Sequence, residues 1–125
     1  MNLNIPDKKI LIVDDDSVSV FLFTELIEPT GAKIATAKDG KSAIKTIKNE
    51  DIDLVLLDLK LKDCSGYSVL KKIRKLNPNI RVIAQTAYAM IEDYQKCIEA
   101  GFDDYLSKPI NSDDLYTKLT KHLES

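Results

Sequence analysis

The chain has 125 residues, is 44% hydrophobic and sets 18 Lys and Arg against 20 Asp and Glu for a formal charge of -2. That suits one compact domain with a real core, the whole of 1–125, and is too short for two. The near-neutral balance gives no general electrostatic reason to bind nucleic acid or a membrane surface.

Cys64 and Cys97 stand far apart without a CxxC pairing, and His122 is the single histidine. A Cys/His zinc site therefore lacks ligands, and the thiols read as reduced. His122, on a helical stretch near the C-terminus, reads as a solvated side chain. No apolar run approaches the ~20 residues of a membrane span. Met1 to Lys8 has no signal-peptide core, so a cytoplasmic location is expected.

The first apolar run, Ile10 to Val13, is short and branched, as expected of a strand covered on both faces. Val18, Leu22 and Leu26 then recur every four residues and predict a helix, which Pro29 and Gly31 close. Lys33 to Ala37 is a weaker strand candidate, and Leu54 to Leu57 a strong one. Val69, Leu70, Ile73 and Leu76 have helical spacing and stop before Pro78. Val82 to Ala84 and Asp104 to Leu106 supply two further strands. Asn111 and Ser112 followed by Asp113 and Asp114 look like a cap with an acidic first turn, ahead of the stripe Leu115, Leu119, Leu123. Five alternating β/α units, with a core at about residues 9–123, predict a doubly wound parallel sheet of order 2-1-3-4-5. Helices cover both faces, giving three α/β/α layers.

In such sheets ligands bind beyond the carboxyl ends of the strands, where strand order reverses. The first strand delivers Asp14, Asp15 and Asp16 there, the third Asp58, the fourth Thr86, and the fifth Ser107 and Lys108. Clustered carboxylates repel by ~1 kcal/mol per pair in water and more in a dry cleft, so they call for a counter-charge. Oxygen-only ligands favour Mg²⁺, with Mn²⁺ the alternative, over zinc. A carboxylate at the edge of such a cation is a nucleophile toward phosphorus, and Asp58 is placed for that. Lys108 and Thr86 are the donors at hand for the transferring group.

These residues resemble the receiver domain of two-component response regulators. The likeness runs through Ile10-Leu11-Ile12-Val13-Asp14-Asp15-Asp16, Asp53-Leu54-Val55-Leu56-Leu57-Asp58, Gly66, Gln85-Thr86-Ala87, and Ala100-Gly101-Phe102-Asp103-Asp104-Tyr105-Leu106-Ser107-Lys108-Pro109. It implies a flavodoxin-like fold in which Asp58 takes a phosphoryl group from a histidine kinase or histidine phosphotransfer domain. Asp14, Asp15 and Asp58 would hold Mg²⁺ with the backbone carbonyl of Lys60, while Asp16 would cap the first helix. Thr86, Lys108 and Ala87 would surround the phosphoryl group, small Ala87 leaving room for a donor, and Thr86 with Tyr105 would form the switch. A cis peptide is implied at Lys108-Pro109. The output surface would lie at about residues 91–123, with a phosphorylation-linked dimer among the assemblies implied.

The chain departs from many receivers at Lys62, where proline is common, and Lys62 reads as a solvated lysine. The resemblance implies that Lys60 and Tyr88 would flank the path of attacking water. The stretch from Gln85 to Met90 with Lys108-Pro109-Ile110 looks most like receivers of hybrid sensor histidine kinases, which would place the chain on the cytoplasmic side of a membrane beside its own kinase core. A stand-alone receiver is the other context. Three competing readings remain. Asp14-Asp15-Asp16-Ser17-Val18 spells the DxDx[TV] element of haloacid-dehalogenase-type phosphatases, with Asp14 as nucleophile, but Lys108 follows Asp103-Asp104 where that family's lysine precedes its acidic pair. A flavodoxin-type FMN site lacks a phosphate loop after the first strand. An unphosphorylated docking scaffold is disfavoured by the complete residue set.

Overall fold

The computed structural model describes residues 3–87 and 91–124. In chain order it has β1 (Lys9–Val13), α1 (Ser17–Ile27), a 3-10 turn (Glu28–Thr30), β2 (Lys33–Ala37), α2 (Gly40–Asn49), β3 (Leu54–Asp58), α3 (Gly66–Leu76), β4 (Arg81–Thr86), α4 (Ile91–Ala100), β5 (Asp104–Ser107) and α5 (Ser112–Leu123). The sheet is parallel with order β2-β1-β3-β4-β5. The expected flavodoxin-like architecture is therefore the observed one.

Strand side chains alternate between two cores. Leu11, Val13, Val55, Leu57, Val82 and Ala84 pack toward α2, α3 and α4, and Ile10, Ile12, Leu54, Leu56 and Ile83 toward α1 and α5. Burying each of these Val, Leu and Ile side chains contributes roughly 1.5–3 kcal/mol. Because both faces are covered, the strands read as continuous apolar runs. Local chemistry fixes the helix starts. Asp16, Asp39, Ser65 and Asn111 each cap a helix by accepting a backbone N–H of its first turn.

The spacing of Val18, Leu22 and Leu26 marks the helix but not its inner face: Val18 is 63% and Leu22 44% exposed, Leu26 is half-buried against the core, and Ser19, Phe23 and Ile27 are buried. α1 is apolar nearly all round, so spacing alone cannot choose its inner face. Its cap sets the phase, since Asp16 accepts from Val18 N (3.1 Å) and from the Ser19 hydroxyl (3.1 Å), which puts Ser19 inside. Leu76, the last residue of α3, is likewise exposed at 43%.

His122 is not solvated. Its side chain is only 8% exposed and its Nε2 lies 2.9 Å from Asp104 Oδ2. Asp104 is buried on edge strand β5 and needs partners, which α5 supplies through His122, Lys118 and Lys121. Burial pushes the Asp104 carboxyl up, but His122, the Tyr105 N–H and the two lysines outweigh it and hold it below the ordinary value.

Gly66 shapes the end of β3. A Cβ there would stand 2.5 Å from the carbonyl oxygen of Asp58 and 2.8 Å from Leu59 Cα, both backbone atoms with little room to move. Gly66→Ala is expected to lose about 1–3 kcal/mol in urea unfolding, the range for overpacking a tight site. A variant as stable as the wild type would show that the β3–α3 loop yields freely.

Candidate functional site

The site forms where β1, β3, β4 and β5 end on one edge. Asp14 follows β1 and is buried, with Oδ1 accepting from the Asp16 N–H at 2.9 Å. Asp58 closes β3, also buried, with Oδ1 accepting from the Lys60 N–H at 3.0 Å. Asp15 is exposed at the lip. One carboxylate oxygen from each of Asp14, Asp15 and Asp58 lies within 4.8 Å of the others.

Lys108 answers these charges. Its ammonium lies 3.1 Å from Asp14 Oδ2 and 3.2 Å from Asp58 Oδ2, bridging strands that are not neighbours of β5. Burial pulls the Lys108 amine down, yet the two carboxylates prevail and hold it above its ordinary value, so it stays charged. Burial pushes the Asp14 carboxyl above the usual range, against the Asp16 N–H and Lys108, which favour its anion. The Lys108-Pro109 peptide is cis. Lys108 N donates to Thr86 O at 2.8 Å, so the ends of β4 and β5 are joined where their side chains enter the site.

An open cleft of about 440 Å³ exposes this arrangement, with Asp15, Asp58, Lys60, Thr86, Ala87 and Lys108 in its wall. Lys62 is exposed at its mouth. Asp16 caps α1 beside the cleft, and Tyr88 lies outside the described residues. Tyr105 is on β5 but packs inward, its ring edge-on to Tyr94 with centroids 6.0 Å apart, while its carbonyl accepts from the Lys118 ammonium.

The sequence reading missed Gln85. It is fully buried, and its Nε2 donates to Val13 O at 3.4 Å, tying the end of β4 to the residue before Asp14. A glutamine inside an apolar strand was the available signal.

A carboxylate cluster at the switch point of a five-stranded parallel sheet lies where open α/β domains bind their ligands. The comparisons narrow the class. A family model described as response regulator receiver domain matches residues 10–120. The sensor histidine kinase RcsC of Escherichia coli K12 is 36% identical over 94% of this chain, and the transcriptional regulatory protein ZraR of the same strain is 36% identical over 91%. The chain spans only 12% and 26% of the lengths of those two relatives. A CheY-like receiver domain from Methanospirillum hungatei JF-1 superposes with a TM-score of 0.85 at 36% identity, covering 94% of both chains. The receiver domain of sensor histidine kinase PA1611 from Pseudomonas aeruginosa PAO1 gives 0.85 at 29% identity, covering 94% of this chain and 98% of its own. It was crystallised with a magnesium ion in its active-site cleft. The chain belongs to the response regulator receiver domain family of two-component systems. The phosphatase and flavin readings are not favoured by that membership.

The buried pair Asp14 and Asp58 leans on Lys108, which generates a titration prediction. Removing the ammonium in Lys108→Met leaves two carboxylates without a counter-charge, so Asp14 is expected to titrate higher still than in the wild type. Carboxyl-carbon NMR measures it, and an unchanged Asp14 would mean that Lys108 does not govern its charge. At neutral pH the anion of a carboxyl raised by burial opposes folding, and that cost fades as pH falls through the raised value. Asp14→Asn is therefore expected to stabilise the metal-free protein by about 1 kcal/mol at pH 7, or about 4 °C in Tm, with less gain toward pH 4.

Proposed function

We propose that Asp58 is the phosphoacceptor of this receiver domain and that a phosphohistidine is its donor. The observation that carries this is the Lys108 ammonium set between Asp14 and Asp58 at the wall of an open cleft. It is a positive charge beside Asp58, the one buried carboxylate among the described residues that lines this cleft with Thr86 and Ala87.

In the step proposed, an Asp58 oxygen forms a P–O bond as the donor's P–N bond breaks. The bonding pair returns to the imidazole nitrogen, and a solvent proton leaves that ring neutral. Lys108 and the Thr86 hydroxyl donate to the equatorial phosphoryl oxygens, where charge collects as the group transfers. Small Ala87 leaves the approach open. The oxygen-only cluster Asp14, Asp15 and Asp58 fits a hard divalent cation, and with the Lys60 carbonyl it would hold Mg²⁺, Mn²⁺ being the alternative. When bound, that ion neutralises the carboxylates and the incoming phosphoryl charge.

The signal leaves through the same residues. Because Lys108 N is bonded to Thr86 O, new bonds from Lys108 and Thr86 to a phosphoryl group act on the ends of β4 and β5 together. Tyr105 lies two residues into β5 against α4, so α4, β5 and α5 form the responding surface, by population shift. Relay within a hybrid histidine kinase, direct output and phosphorylation-linked dimerisation are all compatible uses of that surface. A cytoplasmic setting suits a phosphohistidine donor.

The donor's docking face is proposed on α1. Val18, Phe21 and Leu22 are 63%, 61% and 44% exposed on the helix that Asp16 caps at the rim of the cleft. An apolar patch beside a reactive group marks a protein contact.

Intact-mass measurement after incubation with acetyl phosphate and Mg²⁺ is expected to show one added phosphoryl group in the wild type, and none in Asp58→Asn or with EDTA. Addition that persists in Asp58→Asn would move the acceptor elsewhere. Phe21→Asp should leave modification by acetyl phosphate within about twofold. Transfer from a phosphorylated histidine phosphotransfer protein is expected to slow about tenfold or more, as for an interface anchor. Equal transfer rates would remove α1 from the donor interface.

A further inference from the structure

Charge is distributed unevenly over the helices. Together α2 and α3 carry Lys41, Lys45, Lys48, Lys71, Lys72, Arg74 and Lys75, seven of the chain's 18 basic residues, and none of its 20 acidic ones. The other 11 basic residues share the rest of the molecule with all 20 carboxylates, so a protein of net -2 presents one strongly cationic face. The two helices pack side by side in the layer opposite α1 and α5.

Between them runs a groove of about 500 Å³. Its floor is apolar, made by Ile44, Val69 and Cys64, and its walls carry Lys41, Lys45, Lys48 and Lys72. All four lysines are exposed, and among the described residues none has an ion-pair partner. The one carboxylate in the lining, Asp63, is already engaged, accepting from Gly40 N at 3.0 Å and Lys41 N at 3.2 Å at the start of α2. Arg74 turns away to bond Ile80 O, Gly101 O and Asp103. Four lysines against a single carboxylate over an apolar floor leave net positive charge that is electrostatically costly in isolation and complementary to an anion with apolar side chains.

Three anionic macromolecules meet the charge, and the groove separates them. Single-stranded nucleic acid is gripped by stacking on aromatic rings and by arginine forks, and the lining has neither. A membrane surface takes apolar side chains that project, whereas Val69 is buried and Ile44 half-buried. A peptide places its own apolar side chains into a recessed floor. Lys41, Lys45 and Lys48 lie on one face of α2 over about 10 Å, the length of two helical turns.

We propose that the α2–α3 groove is a docking site for an acidic amphipathic segment of a protein partner, its apolar side chains on Ile44 and Val69 and its carboxylates on Lys41, Lys45, Lys48 and Lys72. This contact is separate from the Asp58 cleft and from α1, so it is available to the domain whether or not Asp58 is phosphorylated.

The test is a titration of the ¹⁵N-labelled protein at 0.15 M salt with four probes: a synthetic Glu/Leu amphipathic peptide, a Glu/Ser peptide of equal charge, a single-stranded oligonucleotide, and phosphatidylserine vesicles. The Glu/Leu peptide is expected to shift the amides of α2 and α3, and to bind about tenfold more tightly than the Glu/Ser peptide. Lys45→Glu with Lys72→Glu should weaken it about tenfold or more, with thermal unfolding and acetyl-phosphate labelling of Asp58 unchanged. Shifts scattered over other helices, equal affinity for the two peptides, or indifference to charge reversal would overturn the proposal. Tighter binding of the oligonucleotide or the vesicles, lost in the same variant, would overturn the choice of a protein partner.

Discussion

The lysine that β5 sends across the sheet edge is the constraint around which this molecule is organised. Two buried carboxylates at the ends of adjacent strands repel, and burial worsens the repulsion. Lys108 answers both from β5, two places from β3 and three from β1 in the sheet. It reaches them only because β3, β4 and β5 are in register and because its own backbone is bonded to the end of β4. Folding and reactivity are thus set against each other at one point, and a site of this kind holds charge that a purely structural core would exclude.

The rest of the architecture keeps those ends still. Gly66 lets the chain return against the carbonyl of Asp58, Gln85 joins β4 to the end of β1, and Asp16 anchors α1 directly beyond the acidic run. None of these residues needs to touch a substrate. Each limits how far a carboxylate can drift from its neighbours, and sub-ångström placement is what separates a reactive cluster from a merely acidic one.

Much of this was legible before any coordinate. Strands covered on both faces announce themselves as short branched runs, and their ends name the site, so Asp14, Asp58, Thr86 and Lys108 could be put on one edge from order alone. The inner face of α1 could not. Its apolar residues are spread around the whole helix, and the decision lies in a capping hydrogen bond that periodicity does not see. His122 was misjudged for a related reason. Its environment is decided by Asp104 on a different element, and a pair separated along the chain leaves no local trace. Gln85 was visible as a polar residue in an apolar strand, but its partner was not.

The Asp63 carboxylate, which belongs to the loop after β3, sits on the first two amides of α2. A helix whose opening turn is stoppered by a residue more than 20 positions later in the chain cannot be edited alone. The segment between Asp58 and Gly66 is pinned at one end by the packed glycine and in its middle by this plug. Surface loops usually absorb insertions at little cost. Here an added residue would either unstopper α2 or pull on the end of β3, so the segment behaves as a fitted spacer, and chimaeras of this domain should be joined elsewhere.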